Sequence, residues 1–109
     1  KGSQVKKIFD HAAGMTNGIL QVSENVRYSF SPGNTAQKIV INGELLNDNQ
    51  EYWVAAPNFV TQGGDGYLEF NNSLEYIDSG VLVVDATEIF LKSIETYQPK
   101  YDGRIKVLD

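Results

Sequence analysis

Val5, Ile8, Phe9 and Ala12 recur at the spacing of one helix face, with Lys6, Lys7 and Asp10 turned away from it. Gly14 supplies a stop, so the pattern predicts a helix over residues 2–14. His11, the only histidine, lies on this helix. Without a second His or Cys it makes a poor metal ligand, and no catalytic role is assigned to it. Asn17-Gly18 is turn chemistry, after which Ile19, Leu20 and Val22 predict a short strand. Val26, Tyr28 and Phe30 then alternate with Arg27 and Ser29, the period of a half-buried strand.

Ser31-Pro32-Gly33-Asn34 reads as a loop and residues 37–42 as the next strand. That strand runs into Asn42-Gly43, the dipeptide most favoured in tight hairpins. Leu45 and Leu46 resume the pattern before a polar turn at 47–50. Residues 52–56 are apolar on both faces and predict a central, buried strand. Leu68 and Phe70 read as buried. The apolar run 81–84 leads to Asp85, which with Glu88 resembles a capping box, so a second helix is expected over 85–97, with Pro99 as its stop. Residues 104–107 close the chain as an edge strand. Helix, strands, helix, strand makes an α+β domain, with residues 1–109 forming one domain.

Composition narrows the classes. Hydrophobic residues make up 41%, which excludes a disordered chain. No apolar run is long enough to span a membrane, and no leader pattern opens the sequence. The net charge is −5 with basic residues scattered, so a nucleic acid polymer is not an expected partner. Cysteine is absent, which removes disulfides and thiolate metal sites. Asn71-Asn72-Ser73 fits a glycosylation sequon.

The stretch that carries chemistry runs from Tyr52 to Phe70. Beyond Pro57 it reaches Gly63-Gly64-Asp65-Gly66, where three glycines around one aspartate let the backbone take positive φ and approach a ligand closely. Phe59 precedes that loop, so one connection carries a flat apolar ring and a carboxylate. Together they suit a ligand with an aromatic base and neighbouring hydroxyls, as in a nucleoside. The same letters also make an ordinary turn with Phe59 in the core. A calcium nonapeptide repeat is disfavoured because Leu68 takes its last acidic position and no second copy follows. A diguanylate cyclase motif is disfavoured because Gly66 stands where an acid should follow Asp65.

Several spaced segments resemble one family in the right order. Residues 52–67 match Tyr-x-Val-Ala-x-x-Asn-Phe-x-x-x-Gly-Gly-Asp-Gly-Tyr. Lys1-Gly2-Ser3-Gln4-Val5-Lys6-Lys7, Gly18 to Ser23, Val40 to Leu46 and Gly103-Arg104-Ile105 extend the match over nearly the whole chain. The sequence resembles the C-terminal domain of 5′-nucleotidases, a family that includes UDP-sugar hydrolases and 2′,3′-cyclic-nucleotide phosphodiesterases. The resemblance implies helices packed on stacked mixed sheets in a layered α/β/β/α arrangement, cut short at its N-terminal side. It implies that Phe59 stacks on the base and Asp65 accepts hydrogen bonds from the ribose hydroxyls. Asn58 is a polar contact in the same reading, Gly63, Gly64 and Gly66 shape the loop, and Tyr67 packs.

Hydrolysis of a phosphate ester needs a nucleophile and charge stabilisation, commonly from two metals. One His, no Cys and no dense Asp–His cluster cannot supply these, so no catalytic or metal-binding residue is assigned in this chain. The resemblance places two divalent metals on a separate N-terminal metallophosphatase domain, and the whole protein in the periplasm, outside the cell or on its surface. In the family a second aromatic, from the strand before the first helix, completes the stack. Lys1 stands where that helix begins, so the chain alone is expected to bind nucleosides weakly and to self-associate through apolar surface. The competing expectation is a non-catalytic module that binds sugars or a protein partner on the same fold.

Overall fold

The computed structural model describes every residue, Lys1–Asp109. Helix α1 spans Gly2–Gly14, the range that the apolar spacing predicts. Its first turn is seated by a loop. The Gly2 and Ser3 amides donate to the carbonyl oxygens of Gln50 (2.8 Å) and Asp48 (3.1 Å), which pairs two of the donors that a helix start leaves open. Glycine is required at position 2, because a Cβ there would lie 1.9 Å from the Asn47 carbonyl oxygen.

Strands β1 (Val26–Phe30), β2 (Ala36–Ile41), β3 (Glu44–Leu45) and β4 (Ile105–Val107) form one mixed sheet in the order β3-β2-β1-β4. The β1–β2 and β2–β3 pairs are antiparallel, and β4 lies parallel to β1. Asn42 (φ 53°) and Gly43 (φ 82°) turn the β2–β3 hairpin, as a two-residue connection needs. The register passes from Arg27↔Val40 to Ser29↔Gln37, so β2 carries one extra residue there, and Lys38 takes φ 48°.

The core lies between α1 and this sheet. Val5, Phe9 and Ala13 pack on Tyr28, Phe30, Ala36 and Ile39, and the Phe9 ring meets Tyr28 edge-on at 4.9 Å. The Asp10 carboxylate pairs with Lys6 and accepts the Ala36 amide at 2.9 Å, tying α1 to the start of β2. At the opposite edge, Arg104 grips Asp102 and donates to the Val22 carbonyl oxygen at 3.0 Å. That grip holds the Asp102 carboxyl well below the usual carboxylate range.

Four expectations need correction. Residues 19–22 form no strand, because side chains take carbonyls that a ladder would use: Tyr28 donates to Leu20, and Arg104 to Val22. Residues 52–56 run extended but pair with no strand of this chain, which leaves Trp53 74% exposed. Leu68 is exposed as well, since Leu68–Asn72 coils into a 3-10 turn on the surface. The second long helix, Val83–Ile94, begins two residues early, so Asp85 sits inside its first turn and caps nothing. This helix buries none of its residues.

Burial pushes the Tyr28 phenol up to about 12 from its ordinary 10. A phenol raised by folding contributes its full stabilisation below pH 10 and loses it as pH climbs to about 12. Urea denaturation across that range should show stability falling with pH. Tyr28→Phe should flatten the fall while costing about 0.5–1.5 kcal/mol at neutral pH through the lost bond to Leu20. An unchanged alkaline slope would assign the effect elsewhere.

Candidate functional site

Pro57 ends the extended run and starts the short helix α2 (Asn58–Thr61). The Asn58 Oδ1 accepts the Phe59 amide at 2.9 Å, so this side chain helps to open the turn that carries the ring. Gly63 follows at φ 93°, and a 3-10 turn over Gly64–Gly66 places Asp65 at φ 55° and Gly66 at φ 80°. Three of these four residues occupy the left-handed region. Aspartate is among the few side chains that enter it at modest cost.

Gly64 has its own reason to lack a side chain. A Cβ there would lie 2.4 Å from the Phe59 carbonyl oxygen and 2.6 Å from two carbons of the Phe59 ring. The ring therefore rests against the glycine immediately before Asp65. Phe59 is 60% exposed and Asp65 is exposed too. An open aromatic face and an open carboxylate thus share one turn. Gly64→Ala should push the ring away and destabilise the protein by about 1–3 kcal/mol. A urea midpoint unchanged from the parent would contradict that contact.

Helix α1 supports this turn from below. Tyr67 is buried at 6% exposure, and its ring meets the His11 imidazole edge-on at 4.7 Å. His11 Nε2 lies 2.7 Å from the Asp65 carbonyl oxygen. Farther along, Lys7 pairs with Glu69 at 3.7 Å, and the Gln4 amide donates to the Asn72 carbonyl oxygen. One flank of α1 thus meets the sheet and another holds residues 65–72. Burial pushes the Tyr67 phenol up, and the nearby Asp65 carboxylate adds to the rise.

The structure therefore gathers Asn58, Phe59, Gly63, Gly64, Asp65 and Gly66 into one segment, in which Gly63 and Gly64 are half-buried and the others exposed. Sequence reading passed over His11 as a member of that support. No spacing rule links a helical histidine to a loop 54 positions away, and only the side-chain-free Gly66 hints at a close neighbour.

A larger feature lies apart from this turn. A groove of about 1520 Å³ runs between α1, the extended residues 51–57 and the segment leading into Val83–Ile94. Val5, Ile8, Trp53, Leu82 and Phe90 line it, and Asn58 reaches its edge, whereas Phe59 and Asp65 do not. Its lining mixes these apolar side chains with polar and charged ones, among them Gln4, Glu51, Glu75 and Thr87. Nowhere do three or more His, Cys, Asp or Glu side chains come together, so the residues present do not fit a metal pair.

Comparison with known proteins supplies the context of this geometry. Residues 1–72 match the family described as 5'-nucleotidase, C-terminal domain. The human 5'-nucleotidase is 31% identical over 121 residues, which takes in 97% of this chain and 21% of that protein. The snake venom 5'-nucleotidase of Macrovipera lebetinus is 28% identical, over 100% of this chain and 30% of the relative. The crystal structure of a 5'-nucleotidase precursor from Thermus thermophilus superposes with a TM-score of 0.89 at 24% identity, over 100% of this chain and 24% of that one. The chain spans between a fifth and a third of the length of these relatives.

Proposed function

The chain belongs to the 5'-nucleotidase C-terminal domain family, and on that footing we propose that it is the substrate-binding domain of a 5′-nucleotidase-type hydrolase. Phe59 stacks on the base. Asp65, an acceptor-only group when ionised, takes hydrogen bonds from the ribose hydroxyls. Asn58 adds a polar contact, while Gly63, Gly64 and Gly66 give the backbone its close approach. The observation that carries this reading is the Phe59 ring, open to solvent and resting on the glycine beside an equally open Asp65.

In this reading hydrolysis takes place on a separate N-terminal metallophosphatase domain that holds two divalent metals, and residues 1–109 act as one domain that delivers substrate to it. The description of the matching family as a C-terminal domain, and the fifth of the human relative that this chain covers, support the division. The venom relative also favours a protein that works outside the cell, in the periplasm or on the cell surface.

Titration of the full-length protein with adenosine, beside Phe59→Ala and Asp65→Asn, tests the assignment. Weaker binding in both variants supports it. Equal binding in all three, with free sugars or a protein ligand competing instead, would favour a non-catalytic module.

A further inference from the structure

We infer that His11 is a positioning residue for the proposed ribose contact: it clamps the Asp65 main chain so that the carboxylate faces outward. The inference rests on the nucleoside reading above and adds a residue from a different element to it.

Three contacts converge on this imidazole. Its Nε2 lies 2.7 Å from the Asp65 carbonyl oxygen. A carbonyl can only accept, so Nε2 carries the hydrogen and donates. Its ring meets the buried Tyr67 at 4.7 Å and 78°. Gly66 passes so close that a Cβ there would stand 2.9 Å from His11 Cε1 and 3.1 Å from Nε2. Residues 65, 66 and 67 therefore all bear on one side chain of α1.

The geometry gives the contact its consequence. At φ 55° and ψ 22° Asp65 has its peptide plane turned over relative to ordinary backbone, and its carbonyl points down onto the helix. Asp65 itself is exposed to solvent. Releasing the carbonyl removes a contact that holds Asp65 at this positive φ, so the residue can relax toward the commoner negative-φ region and shift its carboxylate. Helix α1 is anchored in the core through Val5, Phe9 and Ala13, so the clamp ties the loop to a packed element. His11 touches no ligand in this scheme.

A positioning role has a signature that general loosening lacks. In the full-length protein, His11→Phe keeps a ring against Tyr67 but removes the donor. It should weaken adenosine binding by about three- to tenfold, the worth of one hydrogen bond. Binding of 2′,3′-dideoxyadenosine, which lacks the hydroxyls that Asp65 would meet, should stay within about twofold. His11→Gln, whose Nε2 reaches a similar place, should recover most of the loss.

Equal weakening toward both nucleosides, or no recovery in His11→Gln, would overturn the inference. Should His11→Phe fail to fold, the unsubstituted protein still decides. Its imidazole Nε2–H should resist exchange with solvent in ¹⁵N-resolved NMR spectra, and rapid exchange would overturn the clamp. Failure of the underlying reading looks different, because Phe59→Ala and Asp65→Asn would then also leave adenosine binding unchanged.

Discussion

Phe59→Ala in the full-length protein is expected to weaken adenosine binding by about 5- to 150-fold, the equivalent of the 1–3 kcal/mol that one base–aromatic stack contributes. The loss should fall on affinity, because removing a stack made equally in the ground and transition states raises KM and leaves kcat alone. Stability should change little. The ring is 60% exposed and stands outside the cluster that joins α1 to the sheet, and surface substitutions of that kind usually stay within about 0.5 kcal/mol. Phe59→Tyr, which keeps the flat face, should bind as the parent does. Isothermal titration of the three proteins gives the result, and parental affinity in Phe59→Ala would remove the stack from the mechanism.

Asp65→Asn should lower affinity for ribonucleosides by about 10- to 150-fold, since hydrogen bonds to a charged acceptor are worth roughly 1.5–3 kcal/mol. Asparagine is the informative replacement. Position 65 sits at φ 55°, where Asn is tolerated but Ala meets a steric penalty of roughly 1–2 kcal/mol. Asp65→Ala would therefore mix a backbone effect with the loss of the acceptor. The discriminating measurement is the ratio of adenosine to 2′,3′-dideoxyadenosine affinity. It should collapse toward one in Asp65→Asn, and a ratio equal to that of the parent would place the hydroxyls elsewhere.

The parts of this chain that could be read in advance are those whose partners lie close in sequence. Helix α1 was legible to the residue because Val5, Phe9 and Ala12 mark its face. The hairpin at Asn42-Gly43 was legible because both residues take positive φ readily. The site turn was legible as a pattern of glycines around an aspartate. Its exposure was not, since Phe59 in the core and Phe59 in solvent have the same spelling.

Misreadings cluster where non-local contacts decide. Leu20 and Val22 look like a strand, yet their carbonyls serve Tyr28 and Arg104. Residues 52–56 have a strand's composition but no neighbour of this chain beside them. Leu68 has a core residue's chemistry and sits on a surface 3-10 turn. Asp85 offers a cap to a helix that has already started at Val83. His11 is the sharpest case, because the residue that it serves is a backbone carbonyl, which no side-chain pattern can announce.

The parallel pairing of β4 with β1 bears on how this molecule comes together. Tyr28, Ser29 and Phe30 must await Ile105, Lys106 and Val107, so the last ladder closes across most of the domain. The helix and the β1–β2–β3 meander need only neighbours and can condense first. The returning strand then finds a surface already made and adds three residues to it. During synthesis the edge of β1 accordingly stays bare until residues 105–107 leave the ribosome, and that interval is when this domain is most open to mispairing.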